Sequence, residues 1–162
     1  MKEKPRSVDE LSSKGVYIMY ITLRSKKRLK VGSLKLQSFD AGLFAYVGSA
    51  RGPGGLRGRL RRHMGLKGRP RALHWHVDHI ISNPDSKIVG FHVLEGASEH
   101  LVAEKVGSFA RVSFRGFGCS DCNCNSHFFY LGKDLRILRK LEEELRNCEC
   151  ITSVAFIGSE GT

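Results

Sequence analysis

Val16-Tyr17-Ile18-Met19-Tyr20-Ile21-Thr22-Leu23 is apolar or aromatic at nearly every position. Neither alternating face is polar, so the run predicts a central strand covered on both sides. A basic turn follows over residues 24–28, and Leu29 to Leu36 is predicted to return as a second strand, with Gly32-Ser33 as a bulge. Leu43 to Val47, after Asp40-Ala41-Gly42, makes a third strand. The loop Arg51-Gly52-Pro53-Gly54-Gly55 then opens a helix near Leu56. A second helix is predicted from about Ala72 to Ser82, stopping before Asn83-Pro84 because the residue before proline disfavours helical backbone. Ile88 to Leu94 reads as a strand, and Ser98 as the N-cap of a helix to about Val106. Residues 113–127 form an irregular Gly/Cys/Asn loop before a short strand, Phe128 to Leu131. Asp134 is expected to cap an amphipathic helix to about Arg146, and Ile151 to Ile157 to form a last strand. Short strands mixed with helices predict an α+β fold.

At 162 residues the chain suits one compact domain. Residues 1–13 are polar and expected to be a flexible N-terminus, and no repeat or low-complexity tract follows. Hydrophobic residues at 41% and charged ones at 27% are ordinary for a globular protein. No apolar run approaches the roughly 20 residues that span a bilayer. The start has no signal-peptide core, so a cytoplasmic location and no membrane partner are expected.

Charge changes the picture. Lys and Arg total 27 against 16 acids, a net charge of +11, and such a field attracts polyanions, nucleic acid above all. The five Cys are an odd number. In this setting buried thiols or metal ligation are better expectations than disulfides.

The basic residues are not spread evenly. Arg51, Arg57, Arg59, Arg61, Arg62, Lys67, Arg69 and Arg71 fall in one stretch that contains no acid. A solvated helix face normally mixes signs, so the block predicts a phosphate-contact surface, supplemented by backbone N–H groups of the Gly-rich loop. At about 100° per residue, Leu56, Leu60 and Met64 make an apolar stripe. Arg59 and His63 fall in or beside it, while Arg57, Arg61 and Arg62 point away. An inward Arg and His need partners, because burying unpaired charge is costly. Either the inward arc lines a cleft, or it holds a buried Arg paired to an acid and a satisfied His.

Gly15-Val16-Tyr17 at a strand start, Tyr46-Val47-Gly48 at the end of a later strand, and Leu56-x-x-Arg59-Leu60-x-x-His63 on the next helix together resemble the signature of the GIY-YIG endonucleases. Leu73-His74-Trp75-His76-Val77-Asp78 and Gly116-Phe117-Gly118-x-Ser120-Asp121-Cys122-x-Cys124-x-Ser126-His127 are similar to its Uri-type subgroup. The resemblance covers residues 14–131, leaving 132–162 as an added helix and strand expected to pack on the domain. It implies a small central antiparallel sheet flanked by helices, and hydrolysis of nucleic-acid phosphodiesters with one Mg²⁺ or Mn²⁺ on a single helical Glu. Glu99 and Glu104 are the candidates. Glu99, at the edge of the arc formed by Leu101, Val102 and Val106, is preferred. By the same resemblance Arg59 clamps phosphate, Tyr17 is the usual general base and Tyr46 places the water or phosphate. A free Tyr has a pKa near 10 and would need nearby positive charge to lower it. His63 is chemically the easier base near neutral pH. Both stay open.

Residues 24–42 lengthen the link between the first two motifs and carry Arg24, Lys26, Lys27, Arg28, Lys30 and Lys35, which would enlarge a binding face. Cys119-x-x-Cys122-x-Cys124-x-x-His127 has ligand types and spacing compatible with structural Zn²⁺, with Cys122, Cys124 and His127 the better matched trio. The alternative is a tight loop with buried thiols. Along Leu73 to Ile81, His74 and Asp78 are i,i+4 neighbours suited to a hydrogen bond, and His76 and Trp75 suit packing. The expected function is a divalent-metal-dependent endonuclease, with DNA favoured over RNA. The alternative is a non-catalytic nucleic-acid-binding module using the same basic face.

Overall fold

The structure is a computed structural model that describes residues 7–11, 14–65, 73, 75–118 and 125–158. After a 3₁₀ turn at Val8–Glu10, the elements run β1 (Gly15–Leu23), β2 (Lys27–Lys30), β3 (Leu36–Phe39), β4 (Gly42–Ala50), α1 (Gly55–Gly65), α2 (Asp78–Ile81), β5 (Ser86–Glu95), α3 (Glu99–Ser108), β6 (Val112–Ser113), β7 (Phe128–Gly132), α4 (Ile137–Arg146) and β8 (Ser153–Gly158). The fold is α+β. Its six-stranded antiparallel sheet has the order β6-β7-β4-β1-β5-β8, and β2 and β3 form a separate hairpin.

β1 lies at the centre, paired to β4 on one side and β5 on the other. Its doubly apolar pattern follows from that place, since both faces are covered. Tyr17, Met19 and Ile21 point into one core with Leu56 and Leu60 of α1, Ile80 and Ile81 of α2, and Phe39 of the hairpin. Val16, Ile18 and Tyr20 point the other way, against Val102 and Val106 of α3 and Leu141 and Leu145 of α4. The result is a sheet between two layers. The added C-terminal segment is part of it, because β8 pairs with β5 along Gly90↔Gly158 to Glu95↔Ser153.

Several local expectations are corrected. Leu29 to Leu36 is not one bulged strand. Gly32 has φ +53°, and Leu34 N–H donates to Val31 O at 2.9 Å, so the segment is the turn of a hairpin. The insert carrying six basic residues is therefore folded back, and its Arg24 and Lys27 both pair with Asp85. Among the described residues, regular helix in the second predicted helical segment is confined to α2, four residues beginning at Asp78. Ser98 caps α3 as expected, accepting from Leu101 N–H at 3.1 Å. Asp134 stands before the first turn of α4 and accepts from Arg136 N–H at 3.0 Å.

Candidate functional site

The two glycines of the sequence signature are sterically required. Tyr17 lies opposite Gly48 in the β1–β4 register, and a Cβ at Gly48 would fall 2.5 Å from both Cζ and Oη of Tyr17. A Cβ at Gly15 would fall 2.9 Å from Leu94 O and 3.3 Å from a Leu56 methyl. Glycine at 48 lets the Tyr17 ring cross the neighbouring strand, and glycine at 15 lets α1 approach the start of β1. Tyr46 stands on the same face, its ring centre 6.3 Å from that of Tyr17.

α1 delivers His63 beneath these rings. Its Nε2 is 2.6 Å from Tyr17 Oη, and both side chains are fully buried. The phenol is the stronger acid of the pair, so Tyr17 O–H donates to Nε2 and the imidazole proton sits on Nδ1, which has no hydrogen-bond partner. Burial lowers the His63 pKa to about 3, against the opposing influence of Asp78 and with that of Arg62 and Arg59. Burial therefore works against His63 as a base near neutral pH. Tyr17 shifts in the opposite sense. Burial and then Tyr46 raise its pKa well above 10, outweighing the lowering by Arg59, whose guanidinium reaches the Tyr17 hydroxyl.

The cations of α1 divide three ways. Arg59 is half-buried over the Trp75 ring, 4.3 Å from its centre, with no carboxylate in ion-pair range among the described residues. Arg62 was expected to point away from the apolar stripe. It turns inward, lies 3.9 Å from the Trp75 ring centre, and makes a two-pronged pair with the fully buried Asp78 at 3.1 and 2.9 Å. Asp78 also accepts Trp75 N–H at 2.8 Å. A guanidinium committed to a buried carboxylate is a structural element, so Arg62 is not a free phosphate contact. Arg61 pairs with Asp9 at the surface. Arg51 and Arg57 are exposed. Lys67, Arg69 and Arg71 lie outside the described residues.

α3 places the carboxylate. Glu99 is 30% exposed, and its Oε1 is 2.8 Å from Nδ1 of His127, which is buried at the entry to β7. The same Nδ1 is 3.2 Å from Val47 O of β4. Two acceptors face one ring nitrogen, so Nδ1 carries the proton and donates to both. Burial alone would raise the Glu99 pKa. The hydrogen bond and charge of His127, a hydrogen bond from Ser49 and the charge of His100 reverse this, leaving it below the usual Glu value. Glu104 is exposed on the far side of the helix. Glu99 also acts electrostatically on Tyr17, so the two motifs meet at one end of the sheet. An open cavity of about 610 Å³ adjoins that end, lined by Lys14, Gly15, Arg51, Gly96, Ala97 and Ser98.

The family model of the domain of unknown function DUF123 matches residues 16–150. The chain belongs to the DUF123 family. No curated protein and no solved structure gives a significant match. The DUF123 match runs from the second residue of β1 to just beyond α4 and so contains Tyr17, Tyr46, Gly48, Arg59, His63, Asp78, Glu99 and His127, while Lys14 and Gly15 precede it and β8 lies past its end.

Within this DUF123 domain three contacts have no counterpart in the sequence reading: the Arg62–Asp78 pair, the seat of two guanidiniums on the packed Trp75 ring, and the Glu99–His127 bond. His127 was grouped with Cys122 and Cys124 as a zinc ligand. Its Nδ1 is engaged by Glu99, and both cysteines lie outside the described residues. Among the described residues no cluster of three or more His, Cys, Asp or Glu could hold a metal ion. His76 fits its packing role, with Nδ1 accepting Gly118 N–H at 3.0 Å and its ring against Phe117. The His74–Asp78 bond cannot be placed, since His74 is not described. Only the i,i+4 spacing from His74 points to Asp78 in the sequence, and its pairing with Arg62 has no local signal. No helix among the described residues is long and apolar enough to cross a membrane.

Proposed function

We propose that this DUF123 chain is a nuclease of GIY-YIG type, a divalent-metal-dependent endonuclease acting on nucleic-acid phosphodiesters, DNA before RNA. The observation that carries the reading is the meeting of two half-sites at one end of the sheet. One is an Arg59 without a carboxylate partner among the described residues, braced by Tyr17 and Trp75. The other is an ionised Glu99 held by His127.

The donor set suits Mg²⁺ or Mn²⁺. A single half-exposed carboxylate, kept ionised by hydrogen bonds, matches a hard cation that retains most of its waters and takes the rest of its shell from phosphate. Glu99 is the residue that would hold it, with His127 fixing the carboxylate from behind, as outer-shell partners of metal ligands do. When bound, the cation supplies a water acidic enough to attack at neutral pH and neutralises charge on the phosphate.

The chain's own side chains do the rest. Arg59 offers its planar fork to the phosphate, where it stabilises charge that grows on the non-bridging oxygens as water adds and the leaving oxygen departs. Tyr17 is fully buried and His63 stays neutral, so they act through Arg59: His63 holds the Tyr17 hydroxyl, and the hydroxyl holds the guanidinium. Arg51, Arg57 and Lys14 supply further positive charge near the same end for the backbone on either side of the scissile bond. A cytoplasmic location accords with this reading.

The test is an assay of purified protein on branched, single-stranded and duplex DNA and RNA in EDTA, Mg²⁺ and Mn²⁺. Cleavage that requires metal supports the nuclease. Salt-sensitive binding without product in either metal supports the non-catalytic binding module instead.

A further inference from the structure

A second buried Tyr–His pair lies on the opposite face of the sheet. Tyr20 Oη is 2.6 Å from Nδ1 of His92, and neither residue belongs to the constellation around Tyr17. The phenol again donates, so the imidazole hydrogen is on Nε2. His92 is 1% exposed, and this Nε2 has no hydrogen-bond partner. It faces Oε2 of Glu142 across 3.8 Å, too far for a direct bond. The other oxygen of Glu142 is occupied by Arg146 at 2.7 Å.

These two groups line a cavity of about 900 Å³ between α4 and β8. One wall is Phe156, 40% exposed, whose ring packs edge-on to His92 with centres 5.1 Å apart. Leu138 adds apolar surface. Arg139 and Lys140 are exposed on the rim, and neither has an ion-pair partner among the described residues; Glu143 is the opposing charge there. A buried N–H left unpaired is destabilising, so a site that keeps one is suited to a ligand that satisfies it.

We infer that this cavity binds an unpaired nucleobase together with its phosphate. The edge of every base sets a hydrogen-bond acceptor beside a donor. That pattern matches His92 Nε2–H next to Glu142 Oε2. The exposed Phe156 ring offers a stacking surface, and Arg139 and Lys140 offer charge for the attached phosphate, the combination by which proteins hold single-stranded bases. The base comes either from a free nucleotide or from an unpaired position in a strand. The second source rests on the proposed function, because it makes α4 and β8 a subsite for a flap, overhang or branch; the first does not.

The experiment is a titration of ¹⁵N-labelled full-length protein with each of the four nucleoside monophosphates, and separately with a short single-stranded oligonucleotide. Amide shifts of residues 138–143 and 154–158 and the His92 ring nitrogens are the readouts. Saturable shifts confined to these positions are expected. Phe156→Ala is expected to weaken binding about tenfold, the range of one lost base stack, and Arg139→Glu to weaken it further and flatten its salt dependence. Both side chains are exposed, so these variants retain the fold. Oligonucleotide binding much tighter than that of any mononucleotide makes the base part of a strand, while equal affinities make the ligand a free nucleotide. Absence of saturable shifts at millimolar nucleotide, or binding unchanged in Phe156→Ala and Arg139→Glu, overturns the inference. Because cleavage is not the readout, that failure leaves the nuclease reading untouched.

Discussion

Tyr17 and Gly48 face each other across β1 and β4, and the tyrosine ring occupies the space that any side chain at 48 would need. Gly48→Ala puts a methyl 2.5 Å from the Tyr17 ring in a packed core. The cost expected for such overpacking is about 1–3 kcal/mol, measured as a lower urea midpoint at unchanged slope. Since Tyr17 must move, the Tyr17–His63 bond and the seat of Arg59 move with it. Cleavage is expected to fall by more than the lost stability explains. Wild-type activity in a folded Gly48→Ala protein would detach the tyrosine from the site.

Arg62 and Arg57 both belong to α1, but Arg62 is partly buried and Arg57 exposed, and they are predicted to fail differently. Removing Arg62 takes the guanidinium away from the buried carboxylate of Asp78, so Arg62→Ala is expected to cost about 3 kcal/mol of stability. Exposed Arg57→Ala is expected to leave stability within about 0.5 kcal/mol while lowering nucleic-acid affinity and reducing the salt slope by up to about one counterion. Equilibrium unfolding and binding titrations at several salt concentrations check both. Equal destabilisation by the two changes would contradict the assignment.

Two buried histidines set the acid side of the stability curve. Burial lowers His63 to about 3 and His92 to about 4, the latter against the raising influence of Glu142. The unfolded chain takes up these protons near pH 6.5 and the folded chain does not, so stability is full above that value and falls as pH drops toward 4. The slope contributed by each group approaches about 1.4 kcal/mol per pH unit within that window. Replacing His92 by Gln is expected to flatten the dependence, and imidazole titration by NMR reads each pKa directly. A normal His63 titration near pH 6.5 in the folded protein would refute the buried, neutral assignment.

His127 is predicted to be a positioning residue for Glu99. His127→Gln keeps a polar group near the carboxylate but loses the imidazole donor shared with Val47 O. Activity at saturating Mg²⁺ is expected to recover partly, with the metal concentration for half-maximal activity raised about 10- to 100-fold. A loss of rate with no change in metal dependence would instead make His127 merely structural.

Much of this was written in local pattern. The doubly apolar run of Tyr17, the glycines at 15 and 48, and the spacing of Leu56, Arg59, Leu60 and His63 fix β1, β4 and α1, and with them the Tyr17–His63 contact. What periodicity cannot carry is the partner of a long or buried polar side chain. Arg62 sits on the outward side of a helical wheel, yet its flexible stem reaches Asp78, sixteen positions later and in another element. His127 lay among cysteines at metal-like spacing, and its bond to Glu99 exists only because β7 pairs with β4. The hairpin of β2 and β3 was misread as one strand for a simpler reason: Gly32 serves a tight turn as readily as a bulge.

The most direct test of the nuclease reading is single-turnover cleavage by wild type, Glu99→Gln and Arg59→Ala, each verified as folded, across a Mg²⁺ titration on a branched DNA. Wild type is expected to cleave only with metal, Glu99→Gln to lose cleavage at every Mg²⁺ concentration while still binding DNA, and Arg59→Ala to lose on the order of a hundredfold or more in rate. Cleavage that survives Glu99→Gln with unchanged metal dependence, or a wild type that binds DNA and never cuts it, would contradict the account.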